Sequence, residues 1–115
     1  MSDRIREFRN FRERMNERII EAGNLEIKRF FALDSRIYEE GALPVATKEL
    51  LGLAASLVLR CDDCIAYHVL RCKESGVTDE QIFETLSVGL VVGGSIVIPH
   101  LRRAVDLLDE VNAEE

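Results

Sequence analysis

ELLGLAASLVLRCDDCIAYHVLRC, residues Glu49 to Cys72, is the stretch whose spacing decides the fold. At roughly 100° per residue on a helix, positions 61, 64, 68 and 72 fall within about 80° of one another. Cys61, Cys64, His68 and Cys72 therefore share one helical stripe. Ile65 and Val69 border it, so the stripe is expected to face the interior, with its N-terminal end nearer to solvent. The preceding residues predict another helix, capped by Thr47 and running from Lys48 to about Leu59. The cysteine helix is expected to end at Ser75-Gly76, where glycine marks the stop.

Working outward, every strong periodicity is helical. Ile5, Phe8, Met15 and Ile19 predict an N-terminal amphipathic helix to about Ala22. Asn24 is placed to cap a second helix carrying Ile27, Phe30, Phe31 and Ile37 and ending before Gly41. Leu43-Pro44-Val45 reads as an extended connection, because the residue before proline avoids the α region. Thr78-Asp79-Glu80-Gln81 has the capping-box pattern and opens a fifth helix with Ile82, Phe83, Leu86 and Leu90 on its apolar side. Gly93-Gly94 is a break. A last helix from about Ser95 takes Pro99 in its first turn and continues through Leu101, Val105 and Leu108 into a frayed acidic tail, Asn112 to Glu115. The fold expected is all-α, about six helices in one domain over residues 1–115. The β-branched run Val88 to Ile98 is the segment that could instead form a short buried strand.

The chain has 115 residues, 47% hydrophobic and 31% charged, which suits a globular protein with segregated faces. Its formal net charge of -6 argues against a nucleic-acid partner, since that binding neutralises phosphates with Lys and Arg. Asp3 leads into charge and not into a signal-peptide core, and the longest apolar run is shorter than the about 20 residues that span a bilayer. No membrane association and a cytoplasmic location are expected. In that compartment the three cysteines read as redox-active or metal-binding and not as a structural framework. The outer face of the first helix and the Gly-rich fifth helix are candidate contact surfaces between subunits.

Two thiols, an imidazole and a carboxylate are the parts that thiol-disulfide or peroxide chemistry needs. A cysteine in the first turn of a helix feels the positive end of the helix dipole, which favours thiolate. The i,i+4 step from Cys64 places His68 within reach as a general base, and the i,i+3 step from Cys61 permits a disulfide. Spacing alone leaves open which cysteine attacks. Glu49 shares a side of its helix with Leu53 and Ser56; it either orients and charge-balances His68 or complements the positive end of its own helix. Structural zinc is a rival, with Cys61, Cys64, His68 and either Cys72 or Glu49 as ligands, although one continuous helix wraps an ion poorly. Cys72 reads as a buried small hydrophobe. His100, with no thiol or carboxylate near it in sequence, reads as a capping or interface residue. There is no Gly-rich phosphate loop and no GxSxG, HExxH or dinucleotide fingerprint, so no cofactor is expected.

The Glu49-Leu-Leu-Gly-Leu-Ala-Ala-Ser stretch, Cys61-Asp-Asp-Cys-Ile-Ala-Tyr-His68, Gly76-Val-Thr-Asp-Glu-Gln-Ile and Gly93-Gly94-Ser95 together resemble the carboxymuconolactone decarboxylase and alkylhydroperoxidase D-like family. The resemblance covers about Leu43 to Ala104, and its E-x11-CxxC-x3-H pattern is that of the alkylhydroperoxidase D-like branch. It implies an all-helical fold assembling as a homotrimer or homohexamer, and a cofactor-free peroxidase or disulfide reductase. It further implies Cys64 as the peroxidatic thiol, Cys61 as the resolving one, and Glu49 with His68 as the proton relay. A hydroperoxide substrate and a dithiol protein or small thiol as reductant go with that assignment. Asp63 departs from the pattern, since peroxidase members often carry histidine there, and carboxylates between the thiols disfavour thiolate. A lyase acting on a carboxylated lactone is the alternative in the same family, although that branch lacks the cysteine pair.

Overall fold

The structure, a computed structural model, describes residues 2–114. Six α-helices and one short 3-10 turn form, with no strand among the described residues. The chain divides into two compact units, residues 2–39 with 114, and residues 40–113.

The first unit holds α1 (Asp3–Glu21) and α2 (Leu25–Ile37). Ser2 caps α1 by accepting the Ile5 N–H, and Asn24 caps α2 by accepting the Ile27 N–H at 3.0 Å. Both caps satisfy backbone donors that a helix start leaves without intrahelical partners. Ile5 is buried, whereas no residue of α2 is, and Phe30 is 68% exposed.

The second unit holds α3 (Val45–Val58), α4 (Asp62–Glu74), α5 (Asp79–Gly93), the 3-10 turn Ser95–Val97 and α6 (Ile98–Ala113). α3 packs against both α4 and α5, and α4 also packs against α6. Leu53 and Leu57 from α3, Ile65 and Val69 from α4, Ile82 and Leu86 from α5, and Ala104 and Leu108 from α6 form its buried apolar interior. Each fully buried large side chain contributes about 1.5–3 kcal/mol of transfer free energy. α5 comes close to α3 because Gly89 has no side chain: a Cβ there would lie 2.9 Å from Leu57 Cδ2.

Two expectations need correction. α3 starts at Val45, not Lys48, with Pro44 as an extended cap residue and Thr47 inside the first turn. Proline suits that place because its carbonyl accepts the Lys48 N–H at 3.1 Å while its missing N–H costs the helix nothing. The run Val88 to Ile98 follows the helix-break-helix reading and not its strand alternative: it completes α5, turns at Gly94 and opens α6. The tail does not fray at Asn112: α6 continues to Ala113, and Asn112 Nδ2 donates to Asp79 Oδ2 at 2.7 Å. Lys73 Nζ holds the other oxygen of Asp79 at 2.9 Å, so one carboxylate ties α4, α5 and α6. Glu115 lies outside the described residues. The reciprocal capping box of Thr78 and Gln81 forms as the sequence predicts, and Pro99 sits in the first turn of α6. No helix among the described residues is long and apolar enough to cross a membrane.

Candidate active site

The turn from α3 into α4 aims the cysteines. After Leu59 closes α3, Arg60 takes a left-handed conformation with φ 59°. Its N–H reaches the Leu57 carbonyl at 3.0 Å, and the next N–H, of Cys61, reaches Ser56 at 3.1 Å. This is the Schellman pattern with arginine where glycine is usual. A side chain in that region costs about 1–2 kcal/mol, so this non-glycine residue stores strain directly beside the cysteine pair. Sequence offers no sign of it, because Leu-Arg-Cys has no glycine to mark a helix stop.

Cys61 is the N-cap of α4, and its sulfur accepts the Cys64 N–H at 3.2 Å. The two sulfurs are joined as a disulfide, with the Cα atoms 5.3 Å apart. Cys61 is half-buried and Cys64 exposed, while His68 and Cys72 further along the stripe are buried. The stripe therefore runs from solvent into the interior, as its bordering apolar residues predict.

Glu49 is only 1% exposed, in a position that would be unfavourable for a lone carboxylate. Its Oε1 lies 2.9 Å from His68 Nδ1. A carboxylate only accepts, so Nδ1 carries the hydrogen in this pair and Nε2 is the ring nitrogen left to take a proton. The second oxygen, Oε2, lies 3.5 Å from Arg71 Nε. Arg71 was not singled out by the sequence; the i,i+3 step from His68 puts it on the same face, a signal that goes unread unless Glu49 is already known to lie opposite. Arg71 is held above its ordinary pKa, first by its hydrogen bond to Glu74 and then by the charge of Glu49, against an opposing effect of desolvation. Tyr67 meets His68 edge to face, with ring centroids 5.1 Å apart.

Gly52 makes room for the imidazole. A Cβ at Gly52 would stand 2.5 Å from His68 Cε1 and 2.7 Å from Nε2, closer than any carbon tolerates. One turn after Glu49 on α3, this glycine lets the ring lie against the helix that carries its partner.

Cys72 is buried and free of any disulfide. Burial pushes its thiol up to about 12, the charge of Glu49 adds to the rise, and Arg71 opposes it. Among the described residues no three His, Cys, Asp or Glu side chains are grouped as a metal ion requires. In this disulfide form the two cysteines bond to each other, and Glu49 is engaged by His68 and Arg71.

At the mouth of the site, Asp62 Oδ1 lies 2.7 Å from His100 Nδ1 and Oδ2 lies 3.0 Å from Arg103 NH1. His100 is thus neither isolated nor a helix cap. Its carboxylate lies 38 residues away in the chain, a distance across which no sequence pattern points.

The sequence profile of the carboxymuconolactone decarboxylase family matches residues 27–107. The chain belongs to this family. A family protein from Thermotoga maritima, described with a possible involvement in antioxidative response, is 58% identical; its structure covers 93% of this chain and 91% of its own, with a TM-score of 0.90. A second Thermotoga maritima structure aligns over 94% of this chain and 95% of that one at TM-score 0.92 and 57% identity. A family member from Legionella pneumophila, 24% identical, shares the fold at TM-score 0.81, covering 95% of this chain and 97% of that one. An uncharacterised protein of the cox locus of Paracoccus denitrificans is 34% identical over 72% of this chain and 75% of its own length. Membership of the carboxymuconolactone decarboxylase family accounts for the all-helical fold, and the Cys61–Cys64 disulfide sits within the region matched.

Proposed function

We propose that this protein is a thiol-dependent peroxidase or disulfide oxidoreductase that cycles between a Cys61, Cys64 dithiol and its disulfide. The observation that carries the reading is an exposed Cys64, within bonding reach of Cys61 and one turn before a histidine held by a buried carboxylate.

His68 takes the Cys64 proton at Nε2, while Glu49 balances the imidazolium that forms. The Cys64 thiolate attacks the terminal oxygen of a hydroperoxide. The O–O bond breaks, Cys64 becomes a sulfenic acid, and the alkoxide leaves as alcohol with the proton from His68. The Cys61 thiol then displaces hydroxide from that sulfur, its own proton completing a water molecule, and the S–S bond forms. A dithiol protein or small thiol returns two electrons and two protons. The half-exposed position of Cys61 suits a resolving role, since it must reach only its neighbour.

Exposed Phe83, Val88, Val91 and Val92 on α5 support self-association as a homotrimer or homohexamer, which light scattering would measure. A cytoplasmic location suits the cycle, because dithiol reductants are maintained there.

The test is thiol titration of the reduced protein before and after one equivalent of an organic hydroperoxide. Loss of two thiols per chain is expected, and none beyond single-thiol oxidation in Cys61→Ser. Cys64→Ser should abolish turnover; peroxide consumption unchanged in that variant would sink the assignment.

A further inference from the structure

The Asp62-His100-Arg103 cluster lies outside the catalytic set just described, yet it touches the residue between Cys61 and the rest of α4. Two carboxylates, Asp62 and Asp63, stand between the thiols. A carboxylate so near destabilises a thiolate and opposes the favourable helix dipole. The two acids meet different surroundings. Asp63 is exposed, whereas both oxygens of Asp62 are taken by α6, Oδ1 by His100 and Oδ2 by Arg103.

We propose that His100 and Arg103 form a clamp that draws the Asp62 carboxylate toward α6 and offsets its charge, keeping the Cys61, Cys64 pair able to ionise. They are positioning residues that act through Asp62. Arg103 carries the permanent charge of the clamp, and its guanidinium meets one oxygen. His100, with a side chain 19% exposed, fixes the other oxygen from a more sheltered place. Without them, Asp62 in the first turn of α4 is free to compete for the N-terminal backbone donors that otherwise favour sulfur. Other charged groups close in sequence or on the same stripe are Arg60 just before Cys61, Asp63, and the Glu49, His68 and Arg71 group deeper on the stripe.

The clamp deepens the dithiol reading and rests on it, but its test needs no peroxide. The pre-reduced protein is alkylated with iodoacetamide at pH 7, the thiolate sulfur displacing iodide, and each cysteine peptide is quantified by mass against time. Arg103→Ala and His100→Ala are each expected to slow alkylation of the pair by about threefold to tenfold, because the thiolate is the species that reacts. Arg103→Lys should retain most of the rate. Asp62→Asn should speed it, and in that background the Arg103 and His100 substitutions should change it by less than about twofold.

Equal slowing with and without Asp62 would overturn the proposal, because the two residues would then act on the thiols independently. So would an unchanged rate in Arg103→Ala. Buried Cys72 serves as a folding control within the same digest, and a variant in which it alkylates rapidly is replaced in the comparison by Asp62→Asn, where a rate no faster than the parent also overturns the clamp. A clamp effect without peroxide turnover sinks only the peroxidase reading, and turnover without a clamp effect sinks only the clamp.

Discussion

The second unit contains two histidine–carboxylate pairs with nearly the same contact distance and very different surroundings. Glu49 and His68 meet at 2.9 Å with side chains 1% and 10% exposed, whereas Asp62 and His100 meet at 2.7 Å with 44% and 19% exposed. Each carboxylate also takes an arginine, Arg71 in the first pair and Arg103 in the second. Distance is therefore a poor guide to how much stability either pair contributes. Burial decides it: desolvated charges depend on their partners, while water screens exposed ones and takes over when a partner is lost.

The comparison breaks most visibly by removing the carboxylates in turn. Glu49→Ala takes the carboxylate from the buried His68, while the half-exposed Arg71 keeps Glu74, and is expected to cost about 1–3 kcal/mol of unfolding free energy. Asp62→Ala should cost about 1 kcal/mol or less. Urea denaturation of the two variants measures the difference, and equal losses would contradict the contrast.

A second probe asks how dry the ground beneath the buried pair is. Cys72 has its thiol raised from 9.0 to about 12, chiefly by burial. In the unfolded chain the thiol ionises first, so the stability it contributes is complete below about pH 9 and falls as pH rises toward 12. The loss reaches at most about 1.4 kcal/mol per pH unit in that window. Cys72→Val should lack this part of the alkaline slope, measured as the difference between the two proteins in denaturation midpoints at pH 8 and pH 10.5. The same burial predicts that reduced native protein exposes two of its three thiols to a thiol reagent at pH 8.

Gly52→Ala sharpens the comparison by crowding only the buried histidine. With a methyl 2.5 Å from His68 Cε1, the ring must shift, at a cost of about 1–3 kcal/mol. Peroxide-dependent turnover should fall with it, while the exposed His100 pair stays as it was. Histidine NMR resonances would show one ring perturbed and the other not. The smallest effect belongs to the surface: Arg103→Ala should change stability by less than about 1 kcal/mol, whatever it does to thiol reactivity.

Local rules carried much of the site. Helical spacing put Cys61, Cys64, His68 and Cys72 on one stripe, and the structure runs that stripe from an exposed Cys64 to a buried Cys72. The caps of α2 and α5 were legible because a cap is made within four residues. Where local cues competed, sequence misplaced the boundary: Thr47 looked like a cap, but Pro44 opened the helix earlier. Glu49 stayed ambiguous, since a carboxylate near a helix start has two explanations until its burial is known.

What the sequence by itself determined is the helical class, the family resemblance and the dithiol with its histidine, because periodicity and motif spacing are properties of one short stretch of chain. Tertiary structure decided which carboxylate serves which histidine, that Arg71 backs Glu49, that Gly52 clears space for a ring on another helix, and that His100 and Arg103 return to Asp62. Those contacts join residues 16 to 41 positions apart, and burial and screening exist only once the helices have packed. The chemistry was written locally; the environment that tunes it was set by the fold.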